Sequence, residues 1–329
     1  MAKILVVGAT SFIGSHLVSE LIRRGEQVSI FVRSDLKIPL EWKGVVKIHI
    51  GDITKRESIR EICKGMDYVF HLAAKVHDFS KDGVGDEDHF KINVEGTRNV
   101  LEECCNSKIK QFVYFSSVKT MSEDSKEPLD EMSPTRPFTP YGESKLIAEN
   151  TILEYGKKFG FSTTSLRLPM VYGPGNKGNI YKMISAIDKG YFFMMGDGQS
   201  TRSMVYVGNV VEAALSVIGK DIANGKVYIV TDGMDYTVKQ LYATIAQSLG
   251  KKSSSFHIPF NLAKQLAKIG DLGSSLLGNW IPFNSKALSR LTSSFIVSSQ
   301  RIQTEVGFKP KYNLYNTMDT TVQWYKNSH

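Results

Sequence analysis

The sequence predicts an α/β protein: a doubly wound parallel sheet followed by a smaller C-terminal substrate-binding lobe. Three observations carry this. Strand-period and helix-period segments alternate through the first half of the chain. An apolar strand at the very start runs into a glycine turn and then a helix. From Gly173 onward that rhythm breaks into excursions punctuated by glycines. At 329 residues the chain exceeds an ordinary single domain, and with 42% hydrophobic residues it buries a sizeable core without staples. The boundary is placed so that residues 1–172 form the sheet domain. Residues 173–329 form mainly the lobe, with some segments returning to the sheet.

The elements follow in order. Ala2 to Val7 is short, apolar and β-branched, as a buried parallel strand is. It enters Gly8-Ala-Thr-Ser-Phe-Ile-Gly14, and a helical pattern runs from Phe12 to about Leu21. Such a strand, turn and helix form a Rossmann-type cradle: backbone N–H groups at the helix N-terminus receive the pyrophosphate of a dinucleotide. Gly8, Ser11, Phe12, Ile13 and Gly14 are therefore candidate cofactor residues. Ser11 stands where a third glycine is usual, and it fits if its φ stays negative. Further strands are read at Gln27–Val32, Val45–Ile50, Tyr68–His71, Gln111–Ser116 and Ser162–Leu168. Helices are read at Glu87–Cys105 and Tyr141–Phe159, with a polar, proline-bearing loop from Lys119 to Pro140 over the site.

Between Phe260 and Phe283, Leu262, Leu266, Ile269, Leu272, Leu276 and Trp280 recur with lysines between them. That pattern suits a helix lying on a membrane surface or a helical lid packed on the substrate lobe. The lid is the reading held here.

The chemistry concentrates in Pro140-Tyr-Gly-Glu-Ser-Lys145, downstream of a strand ending Phe115-Ser116-Ser117. Four residues apart on a helix, Tyr141 and Lys145 share one face. A phenol has an ordinary pKa near ~10, and an adjacent ammonium is expected to lower it. Tyr141 then exchanges a proton with a substrate hydroxyl or carbonyl while the Ser117 hydroxyl holds the same oxygen.

Other classes are excluded by what the sequence lacks. Cys63, Cys104 and Cys105 are odd in number and form no C-x-x-C, which argues against disulfides and thiolate zinc and for a reducing cytoplasm. Seven histidines are scattered without ligand spacing, so no metal site is expected. The first residues read as a strand rather than a signal peptide, and no apolar run is long enough to span a membrane. A net charge of +8 suits an anionic small molecule or a solvated lysine surface; without interleaved aromatics it does not suggest nucleic acid.

The ordered motifs Gly8–Gly14, Gly51-Asp-Ile53, His71-Leu-Ala-Ala74, Asn93-Val-Glu-Gly-Thr97, Phe115–Ser117 and Tyr141–Lys145 resemble an extended short-chain dehydrogenase/reductase. Leu166-Arg-Leu-Pro-Met-Val-Tyr-Gly-Pro-Gly175, Arg202-Ser-Met-Val-Tyr-Val207 and Glu305-Val-Gly-Phe-Lys-Pro310 extend the resemblance over nearly the whole chain. The group resembled is that of nucleotide-sugar epimerases, dehydratases and reductases, the UDP-glucose 4-epimerase-like enzymes. The resemblance implies that Asp52 accepts from the adenine amino group and that Ile53 packs on its ring. Leu72, Ala73, Ala74 and Ser116 would line the dinucleotide, Lys145 would bind the nicotinamide ribose, and Pro169 would approach the carboxamide. His71 is read as packed beneath the cofactor, not as a base.

The resemblance also implies that Asn179, Arg202 and Arg290 hold a nucleotide diphosphate, although Met170 stands where many members carry asparagine. It further implies a homodimer through the helices Glu87–Cys105 and Tyr141–Phe159. The second strand ends Phe31-Val-Arg33-Ser34, and a guanidinium there suits a 2′-phosphate, so NADP is favoured with NAD possible. Dehydration is disfavoured, because Val118 and Lys119 follow Ser117 where that chemistry needs carboxylates. What remains is oxidoreduction at C4 of a nucleoside-diphosphate sugar, as a 4-epimerase or a 4-keto-sugar reductase. The alternative is an NADPH-dependent ketoreductase of the hydroxysteroid or dihydroflavonol kind.

Overall fold

Ile4 and Val6 point to one face of the first strand and Leu5 and Val7 to the other, and none is more than 2% exposed. A strand covered on both faces belongs in the middle of a parallel sheet. The computed structural model places it there. It describes residues 1–76, 86–122, 124–252, 257–277, 285, 288 and 292–328. Seven parallel strands form the main sheet: β1 (Lys3–Val7), β2 (Gln27–Val32), β3 (Lys47–Ile50), β4 (Tyr68–His71), β5 (Gln111–Ser117), β6 (Ser162–Leu168) and β7 (Lys226–Ile229). Their spatial order is β7-β6-β5-β4-β1-β2-β3. The order reverses between β1 and β4, and the carboxyl ends of those strands open the crevice where such sheets bind ligands.

Each face of β1 packs on its own helices. Ile4 and Val6 meet Leu17 and Val18 of the helix Phe12–Arg23 and Val210 and Ala213 of the helix Val207–Ser216. Leu5 and Val7 meet Val100 and Leu101 of the helix Thr97–Cys105 and Ala148 and Ile152 of the helix Pro140–Phe159. Both β7 and the helix Val207–Ser216, which lie beyond residue 172 in the chain, pack with the main sheet. A second sheet joins Asp235–Thr237, Thr201–Tyr206, Phe295–Val297 and Ser125–Leu129, with Met170–Tyr172 beside Thr201–Tyr206.

Two expectations change. The polar loop from Lys119 to Pro140 contains a strand, Ser125–Leu129, which pairs with Phe295–Val297. Its sequence, Ser-Lys-Glu-Pro-Leu, carries no strand signal, so the distant edge it joins decides its form. The helix from Glu87 to Cys105 is not uniform either. Phe90–Gly96 is wound as a π-helix between Asp86–His89 and Thr97–Cys105. There Gly96 lies so close to Ile53 that a Cβ would sit 2.6 Å from its Cδ1.

Candidate active site

At the end of β1 the chain turns at Gly8 with φ +89°, a conformation that favours glycine. Space forbids a side chain as well, since a Cβ there would lie 2.6 Å from the Ala73 nitrogen. Gly14 is equally tight, with a Cβ 2.4 Å from the Gly8 carbonyl oxygen. Ser11 caps the following helix at φ −72° and accepts from the Gly14 amide at 3.2 Å, so its backbone is unstrained and its hydroxyl closes the helix end. The first-turn amides of Phe12 and Ile13 have no intrahelical acceptor, so they are donors available to an anion at this helix end. Leu72 and Ala73 both donate to the Val7 carbonyl, which lays their backbone against this turn. The donors and the glycine cradle fit a pyrophosphate.

The adenosine side is less uniform. Arg33 is exposed at the end of β2. Asp52 accepts from the Thr54 amide and hydroxyl, both at 2.9 Å, so one carboxylate oxygen holds a turn. The Thr54 amide hydrogen bond is the main reason its carboxyl lies below the usual range; the Thr54 hydroxyl and the nearby Arg33 charge add to it. Ile53 is 6% exposed, with its side chain against Gly96.

Ser117, Tyr141 and Lys145 come together through local chemistry. Thr139 caps the helix, accepting from Gly142 at 3.1 Å, and Pro140 occupies its first turn. A Cβ on Gly142 would lie 2.3 Å from the Lys119 carbonyl oxygen, so this glycine lets the helix start press against the turn after Ser117. The Ser117 hydroxyl lies beside the Tyr141 phenol and favours its ionised form. Lys145, 2% exposed, donates to the Phe115 carbonyl at 2.6 Å and lies 4.1 Å from the centre of the Tyr114 ring.

The expected lowering of the Tyr141 phenol is not found. Burial pushes it from 10.0 up to about 12, opposed by the Ser117 hydroxyl. Burial likewise pulls Lys145 from 10.5 down to about 7, opposed by the Glu149 carboxylate one turn further along. Helical spacing alone implied an ammonium that lowers the phenol, but burial dominates at both groups. His71 is fully buried, hydrogen-bonded to Thr97 at 2.9 Å and held down at about 3 by burial and the Lys145 charge. It is neutral at physiological pH, as expected of a packed histidine.

Three neighbours escaped the sequence reading. Asn93, inside the π-helix, accepts from the Lys75 amide at 2.8 Å and donates to Ser144 at 2.9 Å, tying the crevice loop to the helix of Tyr141. His89 packs edge-on against the Tyr141 ring at 5.8 Å. His16 bonds to the Pro174 carbonyl at 2.8 Å, and Gly175 lies over Phe12, so the Gly173–Gly175 turn closes over the phosphate cradle. For Asn93 a signal existed, its place in Asn-Val-Glu-Gly-Thr; for the two histidines none did. Ser116 is 4% exposed and its Oγ has no partner among the described residues. Pro169 is buried between β6 and Met170–Tyr172.

On the substrate side, Arg202 is half-buried on the strand Thr201–Tyr206, two residues before the Met204–Met170 pair. Asn179 is exposed at the first residue of the helix Asn179–Asp188. Arg290 lies outside the described residues. Among the described residues no cluster of His, Cys, Asp and Glu could hold a metal.

Comparison with known proteins sets this geometry in a family. Over 324 residues the chain is 29% identical to an N-acetyl-α-D-glucosaminyl-diphospho-ditrans,octacis-undecaprenol 4-epimerase of Escherichia coli O157:H7, covering 98% of this chain and 95% of that protein. It is 26% identical to a bovine (Bos taurus) decarboxylating sterol-4-α-carboxylate 3-dehydrogenase, covering 97% of this chain and 91% of that one. The fold matches a UDP-glucose 4-epimerase of Thermotoga maritima, solved with UDP-glucose, at TM-score 0.79 and 24% identity over 99% of each chain. The model of the NAD dependent epimerase/dehydratase family matches residues 4–231. The chain belongs to that family, and is an enzyme of the extended short-chain dehydrogenase/reductase type.

Proposed function

We propose that the enzyme interconverts a hydroxyl and a ketone at C4 of a sugar carried on a diphosphate, as a 4-epimerase or a 4-keto-sugar reductase. The observation that carries this is Tyr141 beside the Ser117 hydroxyl, with buried Lys145 one turn along the same helix, in a fold that opens on the Gly8–Gly14 cradle. A nicotinamide dinucleotide held at the Gly8–Gly14 cradle would supply the hydride chemistry. The protein's part is the proton and the position. Tyr141 gives or takes the proton at O4, Ser117 donates to that oxygen, and Lys145 fixes the ribose edge while lending positive charge. Arg202 supplies a planar donor for the diphosphate, with Asn179 beyond it. The carrier is a nucleoside, or a polyprenol as the name of the Escherichia coli relative suggests. Residues 1–172 serve the dinucleotide and 173–329 mainly the sugar.

The test offers the purified enzyme UDP-sugars and a polyprenyl-diphosphate N-acetylhexosamine with NAD or NADP, and follows the C4 configuration by NMR. In Arg202→Ala the substrate KM rises about 10–100-fold while cofactor affinity holds. Inversion or reduction at C4 of none of these sugars would overturn the proposal. A hydroxysteroid or similar ketone turned over instead would favour the second reading, which the sterol dehydrogenase relative supports.

NADP is the proposed preference, resting on Arg33 at the end of β2. Arg33→Asp replaces a phosphate clamp by a like charge and is expected to weaken NADP about 10–100-fold with little change for NAD. A parent enzyme that binds NAD more tightly than NADP in titration would refute it.

A further inference from the structure

From Lys251 to Gly270 the chain carries four lysines and no carboxylate. This stretch includes the strand His257–Ile258, paired with Met194–Met195, and the first turns of the helix Phe260–Leu277. The helix turns small side chains inward: Ala263 and Ala267 are fully buried, in a cluster with Met195, Ile258 and Leu288. Large apolar groups face outward. Phe260 is 47% and Leu262 48% exposed, and just before Met194, Tyr191 and Phe193 are 56% and 45% exposed. Lys252, Lys264 and Lys268 are exposed around them. Leu262 begins the leucine stripe of the sequence, whereas the two inward alanines lie outside that stripe. Leu262, on the stripe, is exposed while Ala263 and Ala267, off it, are buried, so this turn of the helix does not seat its leucine as a lid would.

The edge is continuous with the substrate side. Phe260 lines an open cleft of about 470 Å³ together with Met195, Gly198, Ser200 and His257. Ser200 leads directly into the strand that holds Arg202. Among the described residues no helix is long and apolar enough to cross a membrane.

We propose that this edge of the substrate lobe docks on an anionic phospholipid surface, with Phe260 and Leu262 at the headgroup boundary and Lys252, Lys264 and Lys268 against lipid phosphates. The charge selects the occupant. Exposed Lys252, Lys264 and Lys268 outnumber the carboxylates beside them, Asp197 and Asp271, and on a chain of net charge +8 they complement a negative surface, while the apolar groups among them suit the acyl boundary. Neither the cofactor nor the sugar enters this argument, so it stands or falls apart from the proposed reaction.

The test is co-flotation of the full-length protein with phosphatidylcholine vesicles, with and without phosphatidylglycerol, in the absence of cofactor. Anionic vesicles should capture the protein, and added salt should release it. Lys264→Glu with Lys268→Glu should cut partitioning by about 25-fold or more, at roughly fivefold for each lysine charge lost. Phe260→Asp with Leu262→Asp should lower it comparably, and Ile222→Asp, at an exposed site elsewhere, should not. All four altered side chains of the double variants are exposed, so a circular-dichroism melt should match the parent. No capture by anionic vesicles overturns the proposal. So does equal capture by neutral ones, or capture indifferent to the Phe260 and Leu262 changes, which would mean adsorption by net charge alone.

Discussion

Tyr141→Phe is expected to lower turnover on the order of 10²–10⁴-fold while leaving the fold and dinucleotide affinity intact. The substitution removes one hydroxyl and nothing of the ring, so the packing against His89 survives. Ser117 also accepts from the Lys119 amide at 3.2 Å, so losing the phenol does not orphan its hydroxyl. The stability cost should therefore stay near that of one hydrogen bond, about 0.5–1.5 kcal/mol. The phenol stands at about 12 in the free protein, so it is a protonated donor throughout the neutral range. A ketone oxygen whose carbon gains hydride takes its proton from the phenol; in the reverse direction the alcohol oxygen gives up its proton and the phenolate oxygen receives it. Single-turnover hydride transfer, followed by nicotinamide absorbance, isolates this step from product release. A variant with parental single-turnover rates would remove Tyr141 from the reaction.

The trio was legible because two of its members share one helix turn and the third ends a strand with a strong apolar signature. Strand positions were legible for the same reason: β1, β2, β4 and β5 are covered on both faces and carry apolar runs. What stayed hidden depends on groups far apart in the chain. Asn93 makes its bonds to Lys75 and Ser144, 18 and 51 residues away. The π-helix around it answers to Ile53, whose contact with Gly96 no local pattern encodes. The strand Ser125–Leu129 exists only because Phe295–Val297 offers an edge. The direction of the Tyr141 shift was misread for a related reason. Spacing places Lys145 on the right face of the helix, but burial, which the folded chain as a whole imposes, dominates at both groups.

The second large effect lies beneath that lysine. Glu149 and Arg167 form an ion pair at 2.6 Å with side chains only 1% and 5% exposed, and Ser165 donates to the same carboxylate at 3.0 Å. Arg167→Met leaves Glu149 charged and buried with the Ser165 hydroxyl as its remaining side-chain donor among the described residues, and should destabilise the protein by about 3–5 kcal/mol. Glu149→Met strands the guanidinium, whose Nη1 already has no partner among the described residues, and should cost a similar amount. Combining the two removes both charges and restores apolar volume, so the double variant should recover most of the loss. Urea denaturation at neutral pH measures all three; additive losses in the double variant would show that the pair is not an isolated electrostatic unit.

The double variant carries a second consequence. Glu149 is the group holding Lys145 up against burial, so its removal lowers the ammonium further below about 7. The folded value already lies below the ordinary 10.5, so the unfolded chain binds more protons between those limits and stability rises with pH across that window. In the double variant the window opens at lower pH, and the pH range over which Lys145 is charged contracts on its alkaline side. Dinucleotide affinity that depends on that ammonium should fall away at lower pH than in the parent. An unchanged pH profile with recovered stability would confine Glu149 and Arg167 to holding the helix Pro140–Phe159 against β6, with no part in setting the charge of Lys145.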